Sequence, residues 1–248
     1  MKTTKIEWTE KVWNPSIGCN KVSAGCKFCY AESFAKRLQA MEVSDYSTGF
    51  RFKILPHRLN EPLKIKKPTK FFVNSMSDLF HEEMPYEFLD SVFEVIEKTP
   101  QHIYQILTKR DKIMVDYFSC RKVPTNVWLG VSVENSKVKS RISSLRKIDA
   151  SIRFISFEPL IGSVGDIKLS GIQWAIVGGE SGNKARPMKK QWVEEIFLQC
   201  KKQNVAFFFK QWGTWGADEI KRSKKANGRL FRGKEWNEFP KQQAVIYA

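Results

Sequence analysis

Residues 70–80 read KFFVNSMSDLF, Lys70-Phe71-Phe72-Val73 running straight into the polar turn Asn74-Ser75-Met76-Ser77-Asp78 before Leu79-Phe80. An apolar run without polar alternation is what a strand buried on both faces requires, and such strands belong to parallel sheets covered by helices. The pattern recurs in Ile103-Tyr104-Gln105-Ile106-Leu107, Val127-Trp128-Leu129-Gly130-Val131, Ile152-Arg153-Phe154-Ile155-Ser156, Trp174-Ala175-Ile176-Val177-Gly178 and Val205-Ala206-Phe207-Phe208-Phe209. The starts of the six runs lie roughly 20 to 35 residues apart, the length of a strand plus a returning helix. The expected class is α/β with a parallel sheet.

The segments between the runs agree. Residues 86–96 place Phe88, Leu89, Val92, Phe93 and Ile96 on one helical face after Pro85, and residues 191–200 repeat that pattern. Residues 32–41 also suit a helix. Two stretches break the rhythm: a polar insertion over 43–69, punctuated by Pro56, Pro62 and Pro68, and a basic, weakly patterned tail over 216–248. The insertion is expected as loop and short helix, the tail as an extension of the domain formed by residues 1–215. A nucleic-acid-contacting appendage and a solvated tail both remain open for it.

In parallel α/β folds, ligands meet the loops at the carboxyl ends of the strands. Here those ends are all polar: Asn74 to His81, Thr108-Lys109-Arg110, Ser132-Val133-Glu134-Asn135, Phe157-Glu158-Pro159, Gly178-Gly179-Glu180-Ser181-Gly182 and Lys210-Gln211-Trp212-Gly213. Gly178-Gly179-Glu180 stands out, since paired glycines let a ligand approach the backbone while a carboxylate holds an amine. In Phe207-Phe208-Phe209-Lys210-Gln211-Trp212, aromatic and basic groups would offer stacking and charge to an extruded base, unless the rings are core.

The chain has 248 residues and a formal net charge of +16, from 42 Lys and Arg against 26 Asp and Glu. A basic chain is drawn to phosphate backbones through counterion release, which makes nucleic acid the leading partner class. No apolar run reaches membrane-spanning length, and Met1 to Glu7 lack the apolar core of a signal peptide, so the expectation is a cytoplasmic protein with no membrane partner. Of five cysteines, three fall within eleven positions, Cys19, Cys26 and Cys29. An odd, clustered set argues against a secreted disulfide framework and for a metal or redox site.

Three readings compete for that cluster. Structural zinc needs a fourth protein ligand, and none is near; Cys120 and Cys200 read as packing cysteines. A disulfide-exchange pair, Cys26 with Cys29, leaves Cys19 unused. An iron–sulfur cluster with one open iron needs three thiolates only.

Cys26-Lys27-Phe28-Cys29 resembles the second half of the radical S-adenosylmethionine signature, although six residues separate Cys19 from Cys26 where the commonest spacing is three. Over nearly its whole length the chain resembles a phage- and bacterium-encoded three-cysteine-motif family of radical S-adenosylmethionine-like proteins. The matching stretches are Trp13-Asn14-Pro15 with the cysteine loop, Val73 to Phe80, Leu107 to Arg110, Trp128 to Glu134, Glu158-Pro159-Leu160, Val177 to Gly182 and Phe208 to Gly213. The resemblance implies a partial TIM-type (β/α)6 barrel with a [4Fe–4S] cluster on Cys19, Cys26 and Cys29. It also implies S-adenosylmethionine as cofactor and an electron donor such as flavodoxin or ferredoxin. By the same resemblance Phe28 packs near the adenine. Asn74, Ser75, Ser77 and Asp78 are candidates for the amine and ribose, with Glu134, Glu158, Gly178, Gly179 and Glu180 as further cofactor contacts. Lys109, Arg110, Lys210 and Trp212 are candidate substrate contacts.

The expected activity is radical repair or modification of a nucleic-acid base, with spore photoproduct lyase as an analogy of function. Radical modification of a peptide or small metabolite stands as one alternative. A non-enzymatic, zinc-stapled nucleic-acid-binding protein stands as another.

Overall fold

A computed structural model describes residue 4 and residues 6–241 of the chain. Residues 242–248 of the basic tail, and most of the N-terminal stretch read for a targeting segment, lie outside them. Among the described residues nine strands occur in chain order: β1 Lys11–Trp13, β2 Ser16–Ile17, β3 Lys53–Ile54, β4 Lys70–Val73, β5 Ile103–Thr108, β6 Val127–Ser132, β7 Ile152–Phe157, β8 Trp174–Gly178 and β9 Ala206–Gln211. The helices are α1 Tyr30–Ala40, α2 Tyr86–Glu97, α3 Asp111–Tyr117, α4 Ser140–Leu145, α5 Lys190–Lys202 and α6 Lys224–Asn227.

Seven strands form one parallel sheet in the order β1-β4-β5-β6-β7-β8-β9, each neighbour the next in the chain once β2 and β3 are set aside. Sequential parallel order with no pairing between first and last strand is a barrel left open at one seam. The six apolar runs are six of these strands. β1 is the seventh; with three residues, two of them half-buried, it has too little apolar length to register as a run. The insertion contributes β3, which pairs antiparallel with β2, and three single-turn 3₁₀ helices; Tyr46 of the first turn and Leu55 pack with α1, Ile17 and Met76.

Strand parity sorts the buried side chains into two sets. Phe71, Val73, Tyr104, Ile106, Leu129, Val131, Ile155, Phe157, Ala175, Val177, Phe207 and Phe209 face outward under the helices and form the larger core. The alternate positions Phe72, Trp128, Ile152, Phe154, Trp174, Ile176 and Phe208 face inward and, with Trp8, fill the amino-terminal half of the barrel. The floor is aromatic: Trp8 meets Phe72 edge-on at 4.7 Å, and Trp174 meets Trp128 at 5.9 Å and Phe208 at 6.1 Å. Continuing each strand's parity upward brings Lys109, Ser132, Glu134, Ser156, Glu158, Gly178, Glu180 and Lys210 to the inner rim at the carboxyl ends.

The tail does not stand off as an appendage. Phe209 donates its amide to Trp236 O at 2.9 Å and Glu238 donates to Phe207 O at 3.3 Å, so residues 236–238 run along the free edge of β9. Buried Phe231 lies against Phe197, Phe207, Phe209 and Trp212. Covering an edge in this way removes a template for aggregation.

Candidate active site

The cysteine loop crosses the carboxyl end of the sheet, fastened to four strand ends as it goes. Leaving β2, Gly18 donates to Met76 O at 2.9 Å, and Ser77 Oγ donates to Gly18 O at 2.7 Å, both beyond β4. Beyond β5, the buried guanidinium of Arg110 donates to Asn20 Oδ1, and Glu82 accepts from both Asn20 and Arg110. Beyond β6, Glu134 accepts from Ser23 Oγ and from the Gly25 amide at 3.0 Å. Beyond β8, Arg186 donates from Nη1 to Ala24 O at 2.9 Å while its Nη2 and Nε donate to Glu180 at 2.6 and 2.9 Å. The chain then enters α1, and Tyr30 returns to the β4 end by donating to Ser75 O at 2.6 Å.

The loop that takes this course carries three half-buried thiols. Burial, with Asp78 beside it, pushes the Cys19 thiol up to about 11, against the opposing pull of Arg110. Cys26 Sγ lies 3.9 Å from Ser23 Oγ, and Cys29 stands immediately before α1, packed against its small apolar cluster. Among the described residues no group of three or more His, Cys, Asp or Glu side chains is gathered closely enough to hold a metal ion. The donor chemistry nevertheless fits a sulfur-ligated cluster, because the loop supplies three sulfurs and the neighbouring carboxylates Asp78, Glu134 and Glu180 already have other partners.

The remaining predicted residues separate into loop supports and rim groups. Asn74, buried at a left-handed φ of 58° where β4 turns, commits its amide to Ser16, donating to Ser16 Oγ at 2.9 Å and accepting from its amide. Ser75 Oγ donates to Asn14. Asp78 accepts from the Phe80 amide, Thr108 Oγ1 and the Lys109 amide, between 2.7 and 3.0 Å. Glu180 is closed by Arg186, and Glu134 by Arg141 on the side away from the loop, at 2.9 Å. These groups, read from sequence as cofactor contacts, build the platform under the loop. Gly179 sits so close to the next strand end that a Cβ there would fall 1.9 Å from Trp212 O, which accounts for that glycine without a ligand. Gly178 likewise lies against the Glu158 carboxylate.

Two expectations are corrected. Trp212 is buried, donates its indole N–H to Leu230 O at 2.9 Å and stacks edge-on with Phe209; it belongs to the outer core and has no ring face for a base. Phe207 and Phe209 share that side of β9. Cys120 is exposed, so it is not a packing cysteine, whereas Cys200 is buried as expected.

Facing the mouth are Phe28, with the Arg186 guanidinium 5.3 Å from its ring centre, and the half-buried pair Lys210 Nζ to Glu158 Oε1 at 3.2 Å, which Ser156 supports. Lys109 is half-buried, and its ammonium has no ion-pair partner among the described residues. Sequence reading missed Asn20, Ser23, Glu82, Arg141 and Arg186. The two arginines follow their carboxylates by seven and six residues through loop and short helix, a spacing with no periodic signature.

Among solved structures the chain is similar to spore photoproduct lyase complexed with dinucleoside spore photoproduct, at 13% identity and a TM-score of 0.46, covering 82% of this chain and 64% of that one. It is also similar to a mutant of that lyase with bound AdoMet and the dinucleoside product, at 14% identity and a TM-score of 0.45, with the same coverage. The chain thus spans 64% of the length of those lyase chains. No curated protein sequence matches it. Residues 3–240 match the family described as protein of unknown function, DUF5131, and the chain belongs to that family.

Proposed function

We propose that the protein is a radical S-adenosylmethionine enzyme in which Cys19, Cys26 and Cys29 hold a [4Fe–4S] cluster, and that it acts on a nucleic-acid base. The observation that carries this reading is the course of the loop that bears the three cysteines, fastened to the ends of β4, β5, β6 and β8 across the carboxyl end of an open parallel barrel. When bound, the cluster offers one open iron site to S-adenosylmethionine and the electron that cleaves its sulfonium bond.

The chain's own residues supply the rest. Phe28, flanked by Arg186 and Lys27, presents an apolar ring at the loop for the adenine. Lys109 and Lys210, rising inside the rim, provide positive charge for a carboxylate or a substrate phosphate, with Glu158 orienting Lys210. Below them the aromatic floor closes the barrel and keeps water from reaching the site from beneath, which radical chemistry on an unactivated carbon requires. The net charge of +16 supports a phosphate-bearing substrate over a peptide or neutral metabolite. With Trp212, Phe207 and Phe209 in the core, stacking on a base falls to other groups. A small electron-transfer protein, flavodoxin or ferredoxin, is the proposed reductant.

Purification without oxygen tests the proposal. A brown protein with about four irons per chain, bleached by dithionite and releasing 5′-deoxyadenosine from S-adenosylmethionine, is expected. Mass spectrometry of nucleosides after incubation with irradiated or native DNA and RNA then identifies the altered base. A colourless protein holding a single zinc would sink the radical reading.

A further inference from the structure

Glu134 was read from sequence as a cofactor contact, yet its carboxylate is fully buried and turned to the protein on both sides. One oxygen, Oε1, accepts from Ser23 Oγ and from the Gly25 amide; the other, Oε2, accepts from Arg141 Nη1 at 2.9 Å. Arg141 is itself buried and held by Ser132 O at 2.9 Å, with Asp111 at 3.9 Å. A charge so enclosed is retained where it is paired and hydrogen-bonded. Its two loop partners lie three residues and one residue before Cys26.

The fit at Gly25 is close. A Cβ on that residue would fall 2.8 Å from Glu134 Oε1 and 2.9 Å from Cδ, so a side chain at position 25 displaces either the loop or the carboxylate. The carboxylate is anchored by a buried guanidinium, while the loop is a short 3₁₀ turn over Ala24–Cys26. The loop is the part that yields.

We propose that Glu134 is a positioning residue for the iron–sulfur ligands: by holding Ser23 and Gly25 against the end of β6, it fixes where the Cys26 sulfur stands. The proposal rests on the cluster reading above and extends it to a residue that touches neither cluster nor substrate. Outer-shell partners of this kind orient a ligand before the metal arrives.

The test works from the loop side, where Ser23→Ala and Gly25→Ala leave the buried Glu134–Arg141 pair in place and the barrel intact; Glu134→Gln is the third variant, and Val22→Ala, at an exposed loop position, is the control. In metal-free protein, alkylation of Cys26 followed by mass spectrometry should quicken in the first three variants and stay at the wild-type rate in the control. Labelling of Cys200 should not change. On anaerobic reconstitution, retention of iron against a chelator should weaken by about tenfold in the same three, the usual size of losing an outer-shell partner. Unchanged Cys26 labelling together with wild-type iron retention in Gly25→Ala and Ser23→Ala overturns the proposal. If wild-type protein takes up no iron, the cluster reading fails, and the labelling rates in metal-free protein alone decide whether Glu134 positions Cys26.

Discussion

Cys200 and Cys120 show how one side-chain type acquires opposite behaviour from its surroundings. Cys200 lies on the buried face of α5, and burial pushes its thiol up to about 12; Cys120 is exposed just beyond α3. The thiolate is the reactive form, so at pH 8 a thiol at that value is ionised in only roughly one molecule in ten thousand. Iodoacetamide at pH 8 is therefore expected to modify Cys120 in the folded protein and Cys200 only after unfolding, read by peptide mass spectrometry. Modification of native Cys200 at a rate comparable to Cys120 would contradict the packing of α5. The three loop cysteines could be singled out in the sequence as a candidate site because clustering in a cysteine-poor chain is a signal in itself. The hydrogen-bond partners of Asn74, Asp78, Glu134 and Glu180 could not be, since a carboxylate or amide at a strand end looks the same whether it faces a ligand or a neighbouring loop. Only its partner, often far away in the chain, decides.

At the scale of elements, six of the seven barrel strands and the three longest helices were visible as periodic runs, because burial on two faces or on one helical face writes itself into hydrophobic spacing. β1 escaped, and so did α4 and α6, whose short lengths leave too few turns for a pattern, while α3 showed only as a helix-like stretch before Cys120. The edge segment at 229–238 was hidden for another reason. It is basic and rich in loops, and its attachment depends on single residues such as Phe231 and Trp236 rather than on a stripe. Phe231→Ala removes a ring that is 1% exposed and touches four other aromatic residues. Truncating a buried aromatic costs about 3–5 kcal/mol. For a chain of this size that corresponds to a fall in Tm of roughly 10 °C, measurable by calorimetry. A shift of no more than a degree or two would mean that the tail is held without this ring.

For the whole molecule, charge and shape make separate statements. No helix among the described residues is long and apolar enough to cross a membrane. The excess of sixteen positive charges gives a direct expectation for solution behaviour: affinity for a fluorescent oligonucleotide, followed by anisotropy, should fall linearly in a plot of log K against log salt concentration. A flat plot, or no binding at low salt, would remove nucleic acid as the substrate class and leave the proposed radical chemistry to a peptide or metabolite.

The six residues between Cys19 and Cys26 also set a limit on how this site can change. Asn20, Ser23, Ala24 and Gly25, the residues that bind Arg110, Glu134 and Arg186, all belong to that interval. Shortening it to the commoner spacing of three would delete attachment points and leave Arg110, Glu134 and Arg186 without their loop partners. Loop length and barrel rim are therefore coupled in this chain: trimming the one strands the groups of the other.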